Sequence, residues 1–145
     1  MPSPLILTLP MAAQQLLPHR PPMLLVDALI DFSDGRGTVV SEVRRDDLFV
    51  NDDGTLEAVA MIELIAQGYA TIKGYEDTRD GVAVRQGYLV GARKVSMLAK
   101  VFVGDRLTID IDPSGHLEGF SVVDGVIRRG DEIVAEGSLK LWITD

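Results

Sequence analysis

Apolar residues recur along this chain with two distinct periods. Positions 56–73 hold no proline and one glycine, and Val59, Ala60, Met61, Ile62, Leu64, Ile65 and Ala66 fall on every side of a helix. That spacing predicts one long buried helix of ~27 Å at ~1.5 Å per residue, with Asp53 or Thr55 as its N-cap and Gly74 as its stop signal. A helix apolar all round has to be enclosed all round, and a small domain can do this by wrapping a sheet about it. Elsewhere the period is two: Leu107, Ile109 and Ile111 alternate with Thr108, Asp110 and Asp112, while Ile133, Ala135, Leu139, Leu141 and Ile143 share one face. Positions 84–92, 94–103, 106–112, 117–128 and 132–143 read as strand, with Arg129-Gly130-Asp131 as a hairpin turn. Ahead of the long helix, Pro10 and Pro18 bracket a short helix over 11–17. A strand then starts at Met23, and Asp34-Gly35-Arg36-Gly37 turns the chain into a second strand over 38–44. The fold class is α+β, an antiparallel sheet closing round one long helix, as a single domain over 1–145.

Composition narrows the function classes. A chain of 145 residues, 46% hydrophobic and 25% charged, can bury one core without covalent staples. It has no cysteine, which excludes disulfides and a thiol nucleophile, and its formal charge of -8 argues against a nucleic-acid surface. No apolar run approaches the ~20 residues of a membrane span, and Met1 to Leu9 lacks the basic start of a secretion signal, so cytoplasm is the expected compartment. The same lack makes the Arg-Gly-Asp triplet a turn and not an adhesion motif. Asp46-Asp47 and Asp52-Asp53 read as solvated loop pairs, and neither metal nor cofactor is expected.

Glu63 stands out, because it lies amid the apolar residues of the long helix, where an ionised carboxylate is expensive to bury. Gln67 follows one turn along the same face and Thr71 continues the stripe. This polar seam has two explanations: a hydrogen-bonded network at a helix edge, or a general acid, since desolvation raises the pKa of a carboxyl group and keeps its proton near neutral pH.

The segment Leu17-Pro18-His19-Arg20-Pro21-Pro22-Met23-Leu24-Leu25-Val26-Asp27 resembles the opening motif of the 3-hydroxyacyl-acyl carrier protein dehydratases. Ile62-Glu63-Leu64-Ile65-Ala66-Gln67 is similar to the central-helix segment that carries that family's catalytic glutamate. Gly87-Tyr88-Leu89-Val90-Gly91, running on to Val101-Phe102-Val103-Gly104-Asp105-Arg106-Leu107, resembles its later hairpin. The resemblance implies the hotdog fold, an acyl thioester on acyl carrier protein or coenzyme A as substrate, and a homodimer or higher oligomer with its sites at the interface. It further implies a mechanism in which a histidine removes the α proton, a glutamate of the facing protomer helps the β-hydroxyl leave, and amides at the helix start polarise the thioester carbonyl. Glu63 matches the glutamate.

Two parts of that pattern differ. The family histidine lies in a Gly-His-Phe-Pro segment, and the same spacing back from Glu63 lands on Phe49, while Ala58 stands where a glycine would present its amide. The chain has two histidines, of which His116 follows Pro113-Ser114-Gly115 in an expected loop. His19 lies in the family-like opening and is either a loop anchor or a substitute base. Catalytic assignments are therefore Glu63 and His19, with Gln67, Arg20 and Ala58 as substrate contacts. A subgroup associated with aryl-polyene biosynthesis is similar in its Pro-His start and in an acidic segment replacing Gly-His-Phe-Pro, and its members act beside a second dehydratase. Three readings stay open: a dehydratase giving a trans-2-enoyl thioester, a non-catalytic subunit of a heteromer with another hotdog protein, and an acyl thioesterase.

Overall fold

A computed structural model describes residues 7–117 and 119–144. One antiparallel sheet runs through it in the order β1-β2-β3-β5-β6-β7-β4, built from β1 (Met11–Ala12), β2 (Ala28–Ser33), β3 (Arg36–Glu42), β4 (Gly87–Met97), β5 (Arg106–Leu117), β6 (Phe120–Arg129) and β7 (Glu132–Ile143). Helix α1 (Val59–Arg79) joins β3 to β4 at the far edge and packs against β2 through β7 on the way. This is the hotdog arrangement, and it places Met61, Leu64, Ile65, Ile72, Leu107, Ile109, Ile111, Ile127 and Leu139 in one core at 2% exposure or less. No helix is long and apolar enough to cross a membrane among the described residues.

The hairpins follow from local sequence. Asp34 and Gly35 take φ of 51° and 80°, the left-handed pair that a two-residue turn between twisted strands needs, and they join β2 to β3. Gly130 and Asp131 turn β6 into β7, with Arg129 opposite Glu132. The two strands expected over 84–92 and 94–103 are one shorter strand: β4 carries Lys94 at φ 54°, its register with β7 shifts between Arg93 and Ser96, and residues 98–103 lie beyond its end. A bulge bends a strand without ending it.

The opening segment differs from expectation. Met11 and Ala12 pair with Leu29 and Ala28 as β1, and only Ala13–Gln15 is helical, as one 3₁₀ turn. Sheet hydrogen bonds with β2 capture residues that local propensity would put in a helix. The long helix starts and ends later than expected. Asp53 caps nothing, because its carboxylate accepts from the Thr55 amide and hydroxyl in the preceding loop, and Ala58 precedes the first turn without a side-chain cap. Gly74 is no stop signal: α1 passes through it for 21 residues, or ~31 Å at ~1.5 Å per residue. The glycine serves close packing instead, since a β-carbon there would sit 1.7 Å from the Leu16 carbonyl oxygen.

Candidate functional site

Residues 17–27 cross the helix face that carries Glu63 and Gln67, and hydrogen bonds from Gln67 hold them there. The Gln67 side chain is 1% exposed, accepts from the buried Leu25 amide at 2.8 Å and donates to the Met23 carbonyl at 2.7 Å. The same Nε2 donates to Glu63 Oε1 at 2.8 Å, one turn back along α1. Both donors of this carboxamide therefore have protein partners. From the other side, Ser41 Oγ donates to the Leu25 carbonyl at 2.6 Å and the Asp27 amide to Val40 at 2.8 Å, which ties the segment to β3.

Upstream of Met23 the chain makes a compact turn. The Met23 and Leu24 amides donate to the Arg20 carbonyl, and the Arg20 guanidinium donates to the Leu17 and His19 carbonyls at 3.0 and 2.7 Å. Leu16 and Leu17 are buried beneath it. This geometry turns the His19 ring inward. His19 Nδ1 is buried and has no hydrogen-bond partner among the described residues, which is unusual for a buried polar atom.

His19 and Glu63 line one cavity of about 100 Å³. Its helix wall is Glu63, Ala66, Gln67, Tyr69 and Ala70, where the two alanines leave the room, and its sheet wall is Gly87 and Leu89 of β4 with Leu141 and Ile143 of β7. Glu63 is half-buried, and with Oε1 held by Gln67 its other oxygen is available to a ligand. His19 also borders a second cavity of about 120 Å³, bounded by Leu17, Pro18, Val84, Gln86 and Tyr88, and shares that position between the two spaces with Ala70 and Gly87. A carboxyl group and an imidazole, both side chains of one chain, thus line one mostly apolar cavity.

The other assigned residues lie elsewhere. Arg20 is exposed on its turn and Ala58 is exposed ahead of α1, and neither lines the Glu63 cavity. His116 is on β5, exposed, opposite Ser121 and away from both cavities, a strand position where a loop was expected. Phe49 packs against the core from a loop. Sequence reasoning did not single out Tyr69, Ala66, Ala70, Leu141 and Ile143 as cavity walls. The shared inward face of Leu141 and Ile143 was legible, but not what it faces. A wider depression of about 540 Å³ beside Pro21, Pro22 and Leu24 has Asp27, Arg44 and Asp47 among its lining, and these three engage one another. Asp27 holds Arg44 at 2.9 Å and raises the guanidinium pKa, while burial raises that of the Asp47 carboxyl, which accepts from the Arg44 amide.

Known proteins resemble the chain over nearly its full length. The profile of the ApeP-like family, described as ApeP dehydratase, matches residues 11–145. The 3-hydroxyacyl-[acyl-carrier-protein] dehydratase FabZ of Anaeromyxobacter dehalogenans is 28% identical over 137 residues, 91% of this chain and 88% of that protein. The dehydratase heterocomplex ApeI:P from Xenorhabdus doucetiae superposes with a TM-score of 0.86 at 26% identity, over 93% of this chain and 92% of that one. Smu.793 from Streptococcus mutans, bound to acetyl CoA, shares the fold at a TM-score of 0.62 and 19% identity, over 80% and 86% of the two chains. With its hotdog sheet, its helix glutamate and a family match from β1 to the end of the chain, this protein belongs to the ApeP-like dehydratase family.

Proposed function

We propose that this chain acts on 3-hydroxyacyl thioesters borne by acyl carrier protein or coenzyme A, removing water to give the trans-2-enoyl thioester. The observation that carries this reading is the shared cavity of Glu63 and His19, with the buried Nδ1 of His19 unpartnered beside it. His19 Nδ1 takes the proton from C2, and the electron pair of that C–H bond forms the C2–C3 double bond. The C3–O bond breaks, and the departing hydroxyl takes the Glu63 proton to leave as water. A positioned acid and base contribute about 10²–10⁴-fold each in such a step. Gln67 acts by fixing Glu63 and the residues after the His19 turn, while Arg20 holds the turn that carries His19 through the Leu17 and His19 carbonyls.

The free edge supports an oligomer. Among the described residues β4 pairs with β7 alone and exposes Tyr88, Leu89 and Val90, so a second hotdog chain there would cover the Glu63 cavity at Leu89. A second reading is favoured by Phe49, which packs into the core where resembling dehydratases carry their histidine. In that reading the chain is a non-catalytic subunit beside an active hotdog partner, as the similarity to a dehydratase heterocomplex allows.

Turnover of 3-hydroxyacyl thioesters by the purified chain, with enoyl product and free thiol both measured, decides between these. The dehydratase reading expects enoyl product, reduced at least ~10²-fold in Glu63→Gln and in His19→Ala. Free thiol without enoyl product would mean a thioesterase, and no turnover by wild type would leave the subunit reading.

A further inference from the structure

We infer that residues 82–86 form a strap that closes the second cavity bordered by His19, and that Asp77 is the latch that holds it shut. The inference rests on the thioester reading above in one respect, that the ligand admitted when the strap opens is the thioester.

The strap joins the end of α1 to the start of β4 and belongs to no helix or strand. A glycine bounds it at each end: Gly81, at φ 73°, and Gly87, the first residue of β4. Glycines absorb backbone rotation at little steric cost, which suits them to hinges. Val84, Arg85 and Gln86 border the cavity of about 120 Å³ that His19 shares, and the same three residues border an open depression of about 650 Å³ together with Asp77, Asp80 and Thr144. A single length of chain thus separates the two spaces and has room to move away from His19. Little apolar packing anchors it, since Val82 and Val84 are 54% and 40% exposed.

What holds the strap is polar. The Asp77 carboxylate, 3% exposed near the end of α1, accepts from the Arg85 amide at 3.1 Å and from the Arg85 guanidinium at 2.9 and 3.2 Å. The Asp77 carbonyl accepts from the Val82 amide at 2.9 Å. At the β4 end the Gln86 carbonyl accepts from the Thr144 amide and hydroxyl at 2.9 and 3.0 Å. A carboxylate this buried is costly unless it is paired and hydrogen-bonded, and here the pairing comes from the strap. Removing the Asp77 side chain cuts its bonds to Arg85 together and leaves the strap attached at its two ends.

The chain has no cysteine, so one introduced thiol reports access. Leu17, 4% exposed, lines the strapped cavity, and Asp131 is exposed in the β6–β7 turn. The rate at which an aromatic disulfide reagent labels Leu17→Cys is compared with that of Asp131→Cys in the full chain. With the strap closed, Leu17→Cys is expected to react more slowly by a factor on the order of 100. Adding Asp77→Ala is expected to raise its rate at least about tenfold, because hydrogen bonds to a charged group are worth that much in the open population, and to leave Asp131→Cys unchanged. Asp77→Asn keeps the shape and one acceptor oxygen, is expected to fall between, and serves if the alanine variant does not fold. Ala70→Cys, on another wall of the same cavity, serves if Leu17→Cys does not. Hydrogen exchange separates a released strap from a loosened core: the Val82 amide, whose acceptor is untouched by the substitutions, is expected to lose protection while β6 and β7 keep theirs. Equal labelling of the two thiols before Asp77 is changed, no acceleration in either Asp77 variant, or protection lost across β6 and β7 would overturn the inference. Enoyl product enters none of these readouts, so the thioester reading can fail while the strap stands, and the reverse.

Discussion

Replacing Gly74 by alanine sets two effects of opposite sign against each other. In an exposed helix interior, Gly→Ala stabilises by ~0.8–1.0 kcal/mol through backbone entropy alone. At position 74 the added β-carbon would stand 1.7 Å from the Leu16 oxygen and 2.7 Å from the Leu16 carbonyl carbon. Both neighbours are backbone, and Leu16 is fully buried, so no flexible side chain can give way. Relief requires the opening segment to move off α1 by more than 1 Å, a distance on the order of the gap between that contact and an ordinary carbon–oxygen approach. Overpacking of this kind costs about 1–3 kcal/mol and occasionally more. With backbone on both sides the upper end applies, and the net destabilisation is roughly 2 kcal/mol after the propensity gain. For a domain near this size that lowers Tm by about 4–8 °C. The assay is thermal and urea unfolding by circular dichroism at fixed protein concentration, with Gly68→Ala as control. There the nearest atoms to the β-carbon would be Ile109 and Ile111 side-chain atoms at 3.2 Å or more, so the control should stay within about 1 kcal/mol of wild type. A Gly74→Ala variant as stable as wild type, or more so, would refute the claim that this glycine exists for the contact with Leu16.

Other outcomes follow from the same geometry. Gln67→Leu leaves the buried Leu25 amide without its acceptor and removes two further hydrogen bonds, which destabilises by roughly 2–4 kcal/mol in urea unfolding. Asp47→Asn retains an acceptor for the Arg44 amide but cannot ionise. Burial raises the Asp47 carboxyl above its ordinary 3.8, so its contribution to stability is complete below that pH and is lost as pH rises through the raised folded-state value. The asparagine variant should therefore match wild type below 3.8 and gain on it as pH climbs toward neutrality, read from unfolding midpoints across pH.

The sequence alone carried the period of each main element. An 18-residue window apolar on all sides demands enclosure, alternation in 106–112 and 132–143 demands a sheet with one buried face, and Asp34-Gly35 specifies its turn by backbone freedom alone. The spacing of Glu63 and Gln67 was also legible, since residues four apart on a helix are neighbours wherever the helix goes. What packing and long-range pairing control was not. Gly74 looks like a terminator until Leu16, far away in sequence, is placed against it. Met11 and Ala12 have helical neighbours but take a strand partner in β2, and Arg93 looks like a break between strands until β7 runs past it. His19 and Glu63 belong to separate motifs in the chain, and nothing local says that the loop of one lies over the helix face of the other. Tertiary structure decides that through the Gln67 bonds to Met23 and Leu25, and it decides the size of the chamber between them through Tyr69 and Leu141. Periodicity is a property of neighbours along the chain, whereas a cavity is what remains when residues distant in sequence have packed.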